Sequence, residues 1–177
     1  MRREEAALLA VVAIWAAAFP AIKIGVESIG VFEVALWRHV AACSLLVVYL
    51  LITKTPWRIE RQDWWTFAIV SFSMVPLYHL GLNYGETRIS AGAASLIVSM
   101  APLLVAVIAP FALKERFTLN RGLGIFLAFG GVGFVIVSES SGFEVKHLLG
   151  FIATFAAPLS AAYNTLASKR LLARYGA

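Results

Sequence analysis

Charge is scarce in this chain. Only 14% of its 177 residues are Asp, Glu, Lys or Arg, against about a quarter in a soluble domain. Cysteine is nearly absent. A single residue, Cys43, excludes an internal disulfide framework and a cysteine metal site, and it reads as a small buried apolar residue rather than a reactive thiol. Catalytic signatures are missing too. There is no HExxH, GxSxG or phosphate-binding loop pattern. His39, His79 and His147 lie on different segments without metal-ligand spacing, and no intramembrane carboxylates are paired for acid/base work. These absences argue against an enzyme and leave no cofactor to expect. Low-complexity stretches and long linkers are absent as well.

What fills the chain is apolar. Hydrophobic residues make up 60% of it, gathered into Ala6–Ile24, Val31–Ile52, Trp64–Leu82, Ile89–Leu113, Gly122–Ser138 and Leu148–Ser168. Each is close to the roughly 20 residues a helix needs to cross about 30 Å of hydrocarbon. Strands of a membrane barrel would alternate apolar and polar over about 10 residues; these stretches are apolar all round. The expected class is an all-α membrane protein, a multi-pass bundle of transmembrane helices with the lipid bilayer as its first partner. Joints of about 6 to 11 residues would make successive helices antiparallel neighbours.

The net charge of +5 raises nucleic acid as a ligand, but the basic residues are dispersed and no recognition module is visible. They fall mainly in alternate joints. Arg2 and Arg3, then Lys54, Arg58 and Arg61, then Lys114, Arg116 and Arg121, then Lys169, Arg170 and Arg174 account for eleven of the 15 Lys and Arg residues. The positive-inside rule then puts both termini in the cytoplasm with six spans between them. Trp64 and Trp65 fit an interfacial aromatic belt on that side, and Trp57 is placed flat at the same surface. Arg2 and Arg3 before an apolar run resemble a signal peptide. Glu4 and Glu5 are unusual in one, and the run exceeds its usual apolar core, so an uncleaved span is expected.

Five of the six prolines, Pro20, Pro76, Pro102, Pro110 and Pro158, lie inside spans. Each removes a backbone donor and frees a carbonyl. Kinked or broken helices at mid-membrane build transporter sites, though kinks also serve packing alone. Gly124, Ala128 and Gly131 share one face of the fifth span and would admit a neighbouring helix closely. Gly92, Ser95, Ser99 and Pro102 form a second small stripe that either packs a helix or lines a cavity.

Ionisable groups inside a bilayer are costly and mark functional hypotheses. Lys23 ends the first span, and Trp15, Phe19 and Lys23 share a face at four-residue spacing. Arg38 and His39 lie a third of the way into the second span, His79 in the outer part of the third. Asn83 and Tyr84 follow, and Glu33 and Glu86 are placed near the outer surface. Lys23 either snorkels outward or attracts an anionic group. Arg38 either pairs with Glu33 or Glu86 or meets substrate. Ser160, Tyr163, Asn164 and Ser168 stripe the sixth span.

Several of these elements resemble the drug/metabolite transporter superfamily built from EamA domains. Trp15-Ala-Ala-Ala-Phe19-Pro-Ala-Ile-Lys23 is similar to that family's Trp-Gly-Ser-x-Phe-x-x-x-Lys, and Leu36-Trp37-Arg38-His39 to its Leu-x-Arg-Phe. Leu82-Asn83-Tyr84-Gly85-Glu86, the run Ala91–Ile97, Pro102, Lys114-Glu115-Arg116 and the glycine-rich Gly122–Val137 follow in the family's order. Ala16-Ala17 stands where the family has Gly-Ser, Lys114 where it has Gly, and Ser160 where it often has Trp. The resemblance implies one five-helix repeat over residues 6–138, after a cytoplasmic tail at 1–5. Residues 147–177 then hold the first helix of an inverted second repeat that is otherwise missing.

The expected function is that of a secondary carrier. It would move a small metabolite, amino acid or drug-like compound across the plasma (inner) membrane by alternating access. Trp15, Phe19, Lys23, Arg38, Asn83, Tyr84, Ser99 and Tyr163 are the candidate cavity residues, with a missing half or a second copy as partner. The alternative is a non-transporting membrane subunit, scaffold or truncated fragment.

Overall fold

The computed structural model describes residues 3–54, 59–113, 118–139 and 145–175, and all of its regular elements are helical. Lipid offers no partner for backbone N–H and C=O groups, so a spanning segment must satisfy them internally. Helix α1 (Arg3–Ser28) and α2 (Val31–Thr53) are joined by only Ile29 and Gly30. Gly30 has a φ of 101°, a conformation a side chain strains to adopt, and this permits so short a reversal. A turn at Arg61–Asp63 opens α3 (Trp64–Phe72). A π-helical turn, Ser73–Leu77, contains Pro76 and leads into α4 (Tyr78–Glu86). Next come α5 (Ala91–Val98), α6 (Ala101–Leu113), α7 (Leu119–Glu139) and α8 (Val145–Tyr175). Ser90 caps α5 by accepting from the Ala93 N–H at 3.0 Å, a common way to occupy an orphan donor at a helix start.

Among the described residues five helices are long and apolar enough to cross a membrane: Glu5–Ser28, Val31–Thr53, Arg61–Glu86, Ala91–Phe111 and Val145–Tyr175. The fifth expected stretch yields a shorter apolar helix, Gly122–Phe134, within α7. Many apolar residues of α1 and α2 face outward, with Ile52 75% and Leu45 73% exposed. Such surface belongs against lipid rather than water. Cys43, expected to be buried, also lies exposed on α2. Trp64 and Trp65 are exposed at the start of α3; Trp57, Arg58, Lys114 and Arg116 lie outside the described residues.

The centre of the bundle is the contact of α4 with α8. Gly81 and Gly85 are one turn apart on α4. A Cβ on Gly81 would stand 2.6 Å from the Ala153 carbonyl oxygen, and one on Gly85 would overlap the Thr154 hydroxyl. Gly150 answers from α8, where a Cβ would come within 2.8 Å of the Arg88 Cβ. Helices associate in lipid through close backbone approach and dispersion contacts, and small residues make that possible. The stripe expected to do this, on the fifth span, does not: Gly124, Gly130, Gly131 and Gly133 each have open space where a Cβ would be. Glycine spacing alone does not reveal which glycine face has a partner.

At one end of the bundle α8 returns to the start of α3. Arg174 Nη1 donates to Asp63 Oδ2 at 2.6 Å, and the Tyr175 hydroxyl donates to the same oxygen at 2.6 Å. That hydroxyl also accepts from the Glu60 N–H at 3.0 Å. The end of α8 and the joint before α3 therefore share one face of the bundle.

Replacing Gly85 with Leu should cost at least about 3 kcal/mol, the upper end of ordinary overpacking. Gly131→Ala should be neutral or stabilising by up to about 1 kcal/mol through helix propensity. Thermal melting of the detergent-solubilised variants, followed by size-exclusion chromatography, measures both.

Candidate functional site

A groove of about 570 Å³ opens between α1 and α5. Val11, Val12, Trp15, Ala16, Phe19 and Pro20 form one wall. Ala91, Gly92, Ser95 and Ser99 form the other. Ligand pockets commonly hold about 300–1,000 Å³, so its size suits a small organic molecule. Trp15 is 65% exposed and lines the groove. The hydroxyls of Ser95 and Ser99 bond back to the carbonyls of Gly92 and Ser95 at 2.7 and 2.8 Å. They therefore leave the groove smooth and mildly polar. This stripe of small residues lines a cavity.

The deep end of the groove meets a broken helix. Between α5 and α6 the chain turns at Ser99–Met100, with the Met100 N–H bonded to the Ile97 carbonyl at 3.0 Å. Pro102 follows and has no N–H to continue the ladder. The break falls near the middle of the Ala91–Phe111 span. Pro20 does the same on the opposite wall, where it leaves the Ala16 carbonyl without its i+4 donor. Pro158 lies fully buried within α8, which runs through it unbroken.

Beyond the groove lies a compact polar knot. Lys23 does not extend outward. Its Nζ donates to the backbone carbonyls of Glu86 and Ile89, the latter at 3.2 Å, and pairs with Glu27 at 3.4 Å. A cation at the carbonyl end of a helix is favourable, so Lys23 ties α1 to the end of α4 and to the joint that begins α5. Asn83 is fully buried and donates through Nδ2 to the Val31 carbonyl at 3.0 Å. That bond holds α4 to the start of α2. Phe19, Ile22 and Val26 of α1 and Val34 of α2 belong to the apolar core around it, with Leu82, Ala94 and Ile97.

The eight candidate residues thus separate. Trp15, Phe19 and Ser99 meet in the groove, and Lys23 lies one turn beyond Phe19 on the same helix. Asn83 sits behind the wall. Tyr84 faces outward beneath the Arg88 guanidinium, 4.0 Å from its ring centroid, a cation–π contact. Tyr163 is exposed on α8, away from the groove. Arg38 is exposed on α2, and among the described residues it makes no ion pair with Glu33 or Glu86. His39 packs edge-on against His79 with ring centroids 4.6 Å apart, and its Nδ1 bonds the Ala35 carbonyl at 2.8 Å.

Glu86 is the residue whose place differs most from expectation. Instead of sitting near the outer surface, it has no exposed area, and neither carboxylate oxygen has a partner among the described residues. Asn83 and Glu86 are three residues apart, which places them on one face but does not by itself show that the face is covered. Asn83, Glu86 and Leu82 turn the same way into the bundle.

Comparison with known proteins follows the same lines. Residues 3–137 match the EamA-like transporter family. An uncharacterized transporter of Archaeoglobus fulgidus is 34% identical over 164 residues, covering 93% of this chain and 56% of that protein. A probable terminal-alkyne amino-acid exporter of Streptantibioticus cattleyicolor is 31% identical, covering 96% and 56%. A probable amino-acid metabolite efflux pump of Escherichia coli is 25% identical, covering 97% and 55%. The chain therefore spans about half the length of these curated relatives. No solved structure matches it significantly.

Removing the Lys23 tether, as in Lys23→Met, strands two carbonyls and should cost about 1–3 kcal/mol. Lys23→Arg should recover part of that loss, and Trp15→Ala should leave stability within about 0.5 kcal/mol, as exposed sites do. The same melting measurement separates the three.

Proposed function

The chain belongs to the EamA-like transporter family, and on that premise we propose that the whole protein is a secondary carrier moving a small metabolite across the plasma membrane by alternating access. The five long apolar helices and the family support an integral membrane protein. The relatives support a transporter rather than an enzyme, and two of their names point to amino acids or amino-acid metabolites as the substrate class.

The groove between α1 and α5 carries this reading. It joins an aromatic pair, Trp15 and Phe19, to a smooth wall at Gly92, Ser95 and Ser99. It ends where the α5–α6 helix is broken. Discontinuous helices at mid-membrane expose backbone groups that a continuous helix conceals, and substrate sites of transporters are built there. A second five-helix unit, whether from the rest of the same protein or from another copy, would close the groove's open side. The two units rocking about it would give access from either face in turn. The basic joints support an orientation with both termini in the cytoplasm.

Gly92 provides the test. A Cβ there meets nothing nearer than the Ser90 hydroxyl at 3.6 Å, so Gly92→Leu should fold normally while filling the groove. Uptake and efflux of radiolabelled neutral amino acids by vesicles carrying the full-length protein should fall at least about tenfold, equivalent to about 1.4 kcal/mol on the barrier. Unchanged transport by a well-inserted variant would refute the site. Reporter fusions within Lys54–Asp63 should report a cytoplasmic location.

A further inference from the structure

Glu86 is unused by the groove, and its surroundings are chemically incomplete. It is fully buried, and both carboxylate oxygens lack a donor among the described residues. The same is true of Asn83 Oδ1, three residues earlier on the same helix. An ionised carboxylate only accepts hydrogen bonds. Burying one beside a second unsatisfied acceptor is among the costliest arrangements a protein can hold. The Asn83 amide cannot relieve it by turning over. The Val31 carbonyl can only accept, so Nδ2 must face it and Oδ1 is left as the acceptor. A single proton on Glu86 removes the buried charge and supplies the missing donor: its O–H can bond Asn83 Oδ1, since residues three apart share a helix face.

The charged groups around Glu86 fit a second state. Lys23 from α1 and Arg38 from α2 are the cations that act on it electrostatically. Glu27 is already engaged by Lys23. The face of α8 packed on α4 offers Gly150, Ala153 and Thr154, and α5 and the π-helical turn carry no titratable side chain. Tyr78 and His79 lie two turns back on Glu86's own helix. Arg38, exposed and without an ion-pair partner among the described residues, is free to approach an ionised Glu86.

We propose that Glu86 is the proton-binding group of the transport cycle, alternating between an acid bonded to Asn83 and a carboxylate compensated by Lys23 and Arg38. The inference rests on the protein being a transporter and names its coupling ion. On release the O–H bond breaks, the electron pair stays on the carboxylate and the proton passes to water; binding is the reverse. The groove senses the change through Lys23. That side chain holds the backbone carbonyl of Glu86 itself, and it shares a face of α1 with Trp15 and Phe19 of the groove wall. A negative charge on Glu86 draws the ammonium toward the side chain and loosens its hold on the α4–α5 joint, which carries the opposite wall.

Two measurements on the full-length protein in vesicles decide the matter separately. Infrared difference spectra between acid and alkaline pH should show a protonated-carboxyl band that vanishes in Glu86→Gln and survives in Glu27→Gln and Glu33→Gln. Glu86→Gln should fold as well as the parent, because its amide N–H₂ can donate to Asn83 Oδ1 as the acid does. In the second measurement, a pH gradient imposed in either direction should drive accumulation of radiolabelled neutral amino acids, up to about tenfold per pH unit for one proton. Glu86→Gln should lose that accumulation and retain exchange of labelled for unlabelled amino acid. A carboxyl band unaffected by Glu86→Gln, or gradient-driven accumulation that persists in it, overturns the proposal. Wild-type vesicles that neither accumulate nor exchange any probe would count against the transporter reading, and the infrared band would then judge the proton site alone. If Glu86→Gln is unstable, a wild-type spectrum without any titrating carboxyl band overturns it as well.

Discussion

The backbone-to-backbone contact of α4 with α8 holds the molecule together. In lipid an apolar side chain gains nothing by leaving its surroundings for another apolar side chain, so association depends on how closely two helices can approach. Gly81, Gly85 and Gly150 remove the atoms that would keep these two apart. The helix that gains most from this approach is α4, which has little apolar surface of its own and instead carries Asn83 and Glu86 into the interior. Their burial follows from the contact, since α8 covers one side of α4 while α1, α2 and α5 cover the rest.

Polar groups then act as connectors. Asn83 reaches the first carbonyl of α2, and Lys23 reaches the last carbonyls of α4. Each bond joins elements distant in sequence, and the Lys23 bond also satisfies a carbonyl at the end of α4 that has no intrahelical partner. One end of the bundle is thereby fixed by hydrogen bonds and the centre by close packing. The opposite end is closed by Asp63 with Arg174 and Tyr175. The groove between α1 and α5 lies between these two ends.

Much of this architecture was legible in the sequence, because hydropathy reports directly on the solvent. The spans through Val31–Thr53 and Val145–Tyr175 are long apolar runs bounded by polar joints, and the break before Pro102 follows from proline's missing donor. The joints were less legible: Gly30 permits a reversal in two residues, and only its backbone conformation explains that. Glycine faces were read on the fifth span, where the described residues supply no close neighbour. Gly124 and Gly131 have the regular spacing, whereas Gly81 and Gly85 have the partner, and a partner is a tertiary fact. Glu86 was placed near the surface because it ends an apolar run. Its burial depends on α1, α2 and α8 converging on that turn, which spacing along one helix does not encode. Of the eight candidate cavity residues, Trp15, Phe19 and Ser99 line the groove; Trp15 and Phe19 share one helical face, whereas their meeting with Ser99 is a tertiary fact.

The π-helical turn at Ser73–Leu77 has a consequence for how the third span is used. A turn of this kind accommodates one residue more than an α-helical turn, and each residue advances the α-helix by about 100°. The insertion therefore acts as a phase shift. None of the residues of α3 is buried, whereas four of the nine in α4 are. One continuous rod thus turns its lower half to the lipid and its upper half to the protein, with Pro76 at the joint between the two phases.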